Sequence, residues 1–353
     1  MTGISFLDLP DVLPQFVEGN RSRVIAAGLD PHEYRRVTTG LTSLYDWPAA
    51  FRAVGERYRR AARGYAAGGY GVSAGEAYRT AAHWFHCATF LPHPDHAATV
   101  AAAGEADDAM RYAFAHLDPG AVRIEGDGFV GWLRRPVGVE RPAVVVVVPG
   151  LNSGKEEFHA LDDALLRRGV ATVLLDGPGQ GALVDSAPST EYHRVVGRAL
   201  DALGAHADLD PAAGVGLIGM SLGGYYAALT AAHDSRIRAG ALISGPYRLD
   251  WDELPPFITE ILTVRTKSRS AAREFARRVD LTDVAVRITA ALRVVEGGTD
   301  VTPGVTNAEA AAREAAEGEL VVVPHGDHLL GNATADWLPS TADWFADRLR
   351  SRR

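Results

Sequence analysis

The chain of 353 residues has a single cysteine, Cys87. No intrachain disulfide can form, and a reducing compartment fits. Cys87 falls within a helical apolar pattern, which predicts a buried bystander rather than a reactive thiol. Excess positive charge is missing too. The formal net charge of −8 argues against a nucleic-acid partner. Arginine dominates the basic set, and the closing Arg348-Leu349-Arg350-Ser351-Arg352-Arg353 reads as a frayed, solvated tail. No apolar run nears the roughly 20 residues that span a bilayer, so no membrane partner is expected. The longest, Ala143 to Pro149, has the length of a buried strand. Met1 to Pro14 lacks a basic n-region and a long apolar stretch, so no signal peptide is read and a cytoplasmic location is expected.

What is present is organised around Gly214 to Ala228. Val215, Leu217 and Ile218 lead into Gly219-Met220-Ser221-Leu222-Gly223, and an Ala-rich segment of helix formers follows. This is strand, tight turn and helix, with Ser221 at the apex. Side chains at 219 and 223 would collide in such a turn, while Gly224 lets the helix sit close to the sheet. Ser221 is thereby presented as a nucleophile at a helix N-terminus, where backbone N–H groups stabilise negative charge. Gly71-Val72-Ser73-Ala74-Gly75 repeats the pattern without a preceding apolar strand. There Ser73 and Glu76 read as a capping box before the stripe Tyr78, Ala81, Ala82, Phe85 and Ala88.

Residues 1–121 read as a helical N-terminal cap domain. Helical spacing runs over Leu44–Tyr70, Ser73–Leu91 and Pro94–His116, with Leu91-Pro92-His93-Pro94 as a break. The aromatics of these helices suit a cap that walls a pocket, simple packing or a dimer surface, which leaves a homodimer open. His83, His86, His93 and His96 lack a completing carboxylate or second pair, so no metal is expected.

From Val122 the period changes. Val122–Glu125 and Phe129–Leu133, joined by Gly126-Asp127-Gly128, predict a β-hairpin. Strands over Ala143–Val148, Val170–Leu175, Val215–Ile218, Ile237–Ser244, Ala291–Val295 and Leu320–Val323 alternate with helices at Lys155–Arg168, Ser189–Ala207 and Thr306–Glu317. The alternation predicts an α/β fold over 122–353, a mostly parallel sheet with helices on both faces. A lid-like excursion interrupts it at 245–290.

Active sites in such sheets gather at the carboxyl ends of strands. Pro149-Gly150-Leu151-Asn152-Ser153-Gly154-Lys155 has a glycine spacing one short of a phosphate loop, and Glu156 stands where a magnesium-binding hydroxyl belongs. An oxyanion hole fits it better, with the Leu151 N–H joined by that of Leu222. Asp176-Gly177-Pro178-Gly179-Gln180-Gly181-Ala182 is a loose dinucleotide fingerprint that reads as a structural turn, so no cofactor is expected. Glu296-Gly297-Gly298-Thr299-Asp300 and His325-Gly326-Asp327-His328 close the last two strands. The order Ser221, Asp300, His328 is that of a hydrolase triad. His325 is the rival base, and Glu296 and Asp327 are the rival acids. Beyond Ser244, Asp250 and Asp252 are expected at the pocket rim, orienting a polar group of a small-molecule substrate.

These stretches, with Ser73 to Ala82, resemble the branch of the α/β-hydrolase superfamily that includes dihydroxypseudooxynicotine hydrolase and the fungal polyketide-shortening hydrolases. The resemblance covers about Arg57 to Trp344. It implies the α/β-hydrolase fold and catalysis by Ser221, Asp300 and His328. It also implies cleavage of a carbon–carbon bond beside a ketone, with ester hydrolysis or acyl transfer as the alternative. An acyl-enzyme route and a gem-diol route both fit these residues, and an idle binding protein on the same fold is the rival of a different kind.

Overall fold

A computed structural model describes residues 4–210 and 213–350. Met1 to Gly3 and residues 351–353, on which the leader and tail readings partly rest, lie outside the described residues. Five consecutive valines form β3 (Val144–Val148) at the middle of an eight-stranded sheet. β-branched side chains favour the pleat, and alternate members face opposite sides. Val144, Val146 and Val148 pack with α8 (Tyr192–Leu203) and α9 (Leu222–His233). Val145 and Val147 pack with α7 (His159–Leu166) and α13 (Thr334–Arg348). A strand buried on both faces reads as a continuous apolar run for this reason.

The sheet order is β1-β2-β4-β3-β5-β6-β8-β10. The hairpin β1 (Val122–Gly126) and β2 (Phe129–Arg134) joins β4 (Ala171–Asp176) antiparallel. β4, β3, β5 (Val215–Met220), β6 (Ile237–Ile243), β8 (Ala291–Gly297) and β10 (Glu317–Val323) run parallel. The carboxyl ends of β3, β5, β8 and β10 thus share one edge of the sheet.

Among the described residues up to Leu117 the regular structure is helical: α1 (Val12–Gly19), α2 (Arg21–Ala26), α3 (Pro31–Thr39), α4 (Trp47–Ala67), α5 (Gly71–Cys87) and α6 (His96–Leu117). Their aromatics pack on one another. Trp47 stacks on Phe51 at 4.0 Å between ring centroids, and Phe51 meets Trp84 at 5.1 Å. Cys87 is buried beside them. Ser73 is not a cap. Gly69 turns the chain with φ +80°, α5 starts directly at Gly71, and Ser73 lies in its first turn.

The excursion after β6 contains β7 (Pro246–Leu249), α10 (Pro256–Thr266) and α11 (Arg269–Arg278). β7 pairs antiparallel with β9 (Val305–Asn307). The helix expected from Thr306 therefore starts later, as α12 (Glu309–Glu314), because β-branched Val305 and Thr306 are held in that ladder.

Candidate active site

Ser221 occupies the turn between β5 and α9 with φ 52° and ψ −125°, a conformation that costs a non-glycine residue of order 1–3 kcal/mol. Its N–H donates to the Ile243 carbonyl at 2.8 Å, and its own carbonyl accepts from Gly224 N–H at 2.7 Å. A Cβ at Gly219 would strike the Gly223 backbone, and one at Gly223 would strike the Val148 carbonyl. Both glycines exist because the elbow crosses backbone at close range.

His328 and Asp300 converge on this serine from β10 and β8. His328 Nε2 lies 2.9 Å from Ser221 Oγ, and His328 Nδ1 lies 2.8 Å from Asp300 Oδ2. An ionised carboxylate only accepts, so Nδ1 carries the proton and Nε2 accepts from the serine hydroxyl. Asp300 is buried. The rivals lie elsewhere. His325 is 64% exposed and faces Asp336 at 3.3 Å. Asp327 accepts from the Ser22 hydroxyl of α2. Glu296 accepts from Ala308 N–H at 3.2 Å; burial, then the neighbouring Asp300 charge, pushes its carboxyl up to about 8.

The loop carrying His328 is strained and braced. Leu329 and Leu330 have φ 67° and 51°. Leu329 N–H donates to Ser244 Oγ at 3.0 Å, and Asn332 accepts from Asp327 N–H at 3.0 Å while donating to the His325 carbonyl at 2.8 Å.

Across from it runs the Pro149–Lys155 turn. Leu151 and Leu222 both line the cavity beside Ser221. As the first residue of α9, Leu222 has no intrahelical acceptor for its N–H. Gln180 braces the turn, donating to the Pro149 carbonyl at 2.6 Å while its Oε1 accepts from Tyr192 at 2.6 Å. The loose dinucleotide fingerprint is thus a strut. Lys155 is fully buried with its ammonium 2.8 Å from Asp176, 2.7 Å from Glu156 and 2.8 Å from Asp107 of α6. Burial alone would lower this amine; the three carboxylates outweigh it and hold it above its ordinary value. The Lys155 ammonium is thereby fully engaged by carboxylates.

The serine faces a cavity of about 410 Å³. Phe6, Val12 and Phe16 wall one side, and Leu249, Ile258 and Leu262 another. The wall therefore comes from α1 and its approach, not from Trp47, Phe51, Trp84 or Phe85, which fill helical cores. Asp250 and Asp252 are not among the lining residues. Asp250 N–H is tied to the Gly304 carbonyl at 2.7 Å, and exposed Asp252 pairs with Arg273 at 2.6 Å. The β7–β9 ladder directs the chain away from the rim at this point.

Sequence reasoning missed Arg23, which lines the cavity. It donates to both Glu157 oxygens at 2.6 and 2.8 Å, to Asn152 Oδ1 at 3.1 Å and to Ser153 Oγ at 2.9 Å. It also lies over the Phe90 ring at 3.9 Å. Burial would raise Glu157, but Arg23 and then His86 hold its carboxyl well below the usual range. No motif marks an arginine on a six-residue helix, so no signal could have found it.

Of the four histidines first considered for a metal, His86 pairs with Glu157 at 3.0 Å and His96 with Asp185 at 2.7 Å. His159, Asp162 and Asp163 do cluster, yet Arg134 bridges the two aspartates at 2.5 and 3.1 Å, and none of the three lines the cavity.

Comparison with known proteins follows the same lines. The model of the alpha/beta hydrolase family matches residues 145–348. The 2,6-dihydropseudooxynicotine hydrolase of Paenarthrobacter nicotinovorans is 29% identical over 321 residues, 86% of this chain and 84% of that protein. The alpha/beta hydrolase gkaG of Penicillium citrinum is 29% identical over 229 residues, 58% of this chain and 52% of its own length. Among solved structures, a 2,6-dihydroxy-pseudo-oxynicotine hydrolase matches with a TM-score of 0.82 at 26% identity, covering 93% of this chain and 95% of its own. AbyA5 shares the fold at a TM-score of 0.70 and 17% identity, over 96% of this chain and 99% of its own.

Proposed function

The chain belongs to the alpha/beta hydrolase family, and on that premise we propose that it is a serine hydrolase using Ser221, His328 and Asp300 on a ketonic small molecule. The observation that carries this reading is the hydrogen-bonded line from Asp300 through His328 to Ser221, ending at a largely apolar cavity. Ser221 Oγ attacks the substrate carbonyl while His328 Nε2 takes its proton. Asp300 fixes the imidazole tautomer and stabilises the imidazolium. The N–H groups of Leu151 and Leu222 receive the developing oxyanion.

For a β-dicarbonyl substrate the bond between the attacked carbonyl and the central carbon then breaks. The electron pair leaves on carbon as an enolate, and His328 returns its proton there. Water, deprotonated by His328, attacks the acyl-enzyme and releases a carboxylic acid with free Ser221. Net, one water is consumed per bond cleaved. Support for carbon–carbon cleavage comes from the motif resemblance and from the similarity to a hydrolase of 2,6-dihydropseudooxynicotine over most of both chains. An aryl ester would enter the same cycle with an aryloxide as leaving group.

The test is a panel of β-diketones and matched aryl esters, with products identified by mass spectrometry. Acid plus ketone from the diketones, abolished in Ser221→Ala, is expected. Turnover of esters alone would move the assignment to an esterase; no turnover together with no labelling of Ser221 by a fluorophosphonate would end the hydrolase reading.

A further inference from the structure

The turn after β3 passes Ser221 at contact distance. A Cβ at Gly150 would lie 3.0 Å from Ser221 Cβ and 3.4 Å from Ser221 Oγ. Buried Gln180 donates to the Gly150 carbonyl at 3.2 Å as well as to that of Pro149. The C=O and N–H of a trans peptide point in opposite directions, so this grip turns the Leu151 N–H away from Gln180. Its final aim depends also on Asn152, which fixes the peptide on the far side of Leu151.

Among the described residues, the hydrogen bonds of Asn152 all run to the helical region. Its carbonyl accepts from Arg23 Nη2 at 3.3 Å, its Oδ1 accepts from Arg23 Nη1 at 3.1 Å, and its Nδ2 donates to the Phe90 carbonyl at 2.9 Å. Arg23 also donates to Ser153 Oγ at 2.9 Å. Its Nε and Nη2 fork onto Glu157 at 2.6 and 2.8 Å. A guanidinium is planar, so a fork seated on one carboxylate fixes the direction of its other donors. Glu157 matches the charge of Arg23, which leaves the arginine to act on the turn and not as a countercharge for substrate. The preceding residue, Ser22, donates to Asp327 beside His328, so α2 touches the loops on both sides of Ser221.

We propose that Arg23 is a positioning residue of the oxyanion hole. From α2 it sets the turn after β3 through Asn152 and Ser153, so that the Leu151 N–H meets the oxygen of the carbonyl attacked by Ser221. The N-terminal helices thereby complete the catalytic site as well as walling it. This rests on the serine-hydrolase reading, in which that N–H receives the oxyanion. Leu222 needs no such help, because its N–H is aimed by α9 itself.

The rate at which a fluorophosphonate labels Ser221, followed by intact mass, reads the hole without a known substrate. The attacked phosphonyl group develops its charge on the oxygen that the hole receives. In the full-length chain, Arg23→Lys keeps a cation on Glu157 but loses the fork. It should keep the parent's thermal midpoint and label about 10- to 100-fold more slowly, short of the loss of a whole oxyanion donor. The pH at which labelling switches on reports the imidazole of His328 and should not move. In Arg23→Ala, millimolar guanidinium chloride should restore much of the rate, and sodium chloride at equal ionic strength should not. Parent-like labelling of both variants would overturn the proposal. So would a loss that guanidinium leaves unrestored, or one accompanied in the lysine variant by a shifted pH profile or a lowered midpoint, which would assign Arg23 to general structure. A parent that is not labelled at Ser221 ends the serine-hydrolase reading itself, so the two failures are told apart.

Discussion

The same five-letter pattern occurs twice in this molecule, and its two occurrences share nothing but letters. Gly219 to Gly223 spans the end of a strand and the start of a helix; Gly71 to Gly75 is the first turn of α5. Ser221 is held at φ 52° with His328 against its hydroxyl, whereas Ser73 is an ordinary helical residue. The glycines differ as well. Those at 219 and 223 let backbone cross backbone, while Gly75 lets α5 approach α6: a Cβ there would lie 2.5 Å from Leu117 Cγ and 2.9 Å from His116 Cβ. A motif carries chemistry only where the preceding residues aim it.

The comparison breaks most visibly at the serines. Ser221→Ala should fold and lose about 10⁴–10⁶-fold in kcat, by analogy with triad deletions. His328→Ala should match it, and exposed His325→Ala should not. Equal damage from the two histidine variants, in steady-state assays, would dissociate the observed geometry from catalysis.

Next in size is a pH effect beside the triad, at the end of β8. The Glu296 carboxyl is raised from 4.5 to about 8 in the folded chain. Between those values the folded state holds a proton that the unfolded state has released. Its stabilising contribution is complete below the lower value and is lost as pH rises through the upper one. Urea midpoints should fall across this window, and Glu296→Gln should flatten the slope.

The second region should respond through packing alone. Gly75→Ala forces α5 from α6 and should cost about 1–3 kcal/mol in urea melts, with kcat of the folded protein retained. Ser73→Ala, with no cap to lose, should stay within about 0.5 kcal/mol of the parent. A loss of about 1 kcal/mol there would restore the capping box.

Much of the catalytic half was legible because its central strands are buried on both faces. Val144–Val148 reads as such a strand, and the loops carrying Leu151, Ser221 and Asp300 begin where β3, β5 and β8 stop, while β10 before His328 is partly exposed. Pairing over long sequence distances was not legible. β7 and β9 have four and three residues, too few for a period, and their ladder is what turns Asp250 and Asp252 away from the cavity. The wall from Phe6 to Phe16 escaped notice because short helices with little repeat look like any loop-rich segment.

One contact also dictates an order of events. The Ser22 hydroxyl meets Asp327 across a sequence separation of 305 residues, and Arg23 reaches Glu157 across 134. Closing loops of that size follows the formation of local structure during folding. On a ribosome, α2 emerges early and then waits for nearly the whole sheet before it can grip the loop that carries His328. The two arms of the site are therefore joined at the last stage of chain closure, and activity appears only when the first helices and the last strand have found each other.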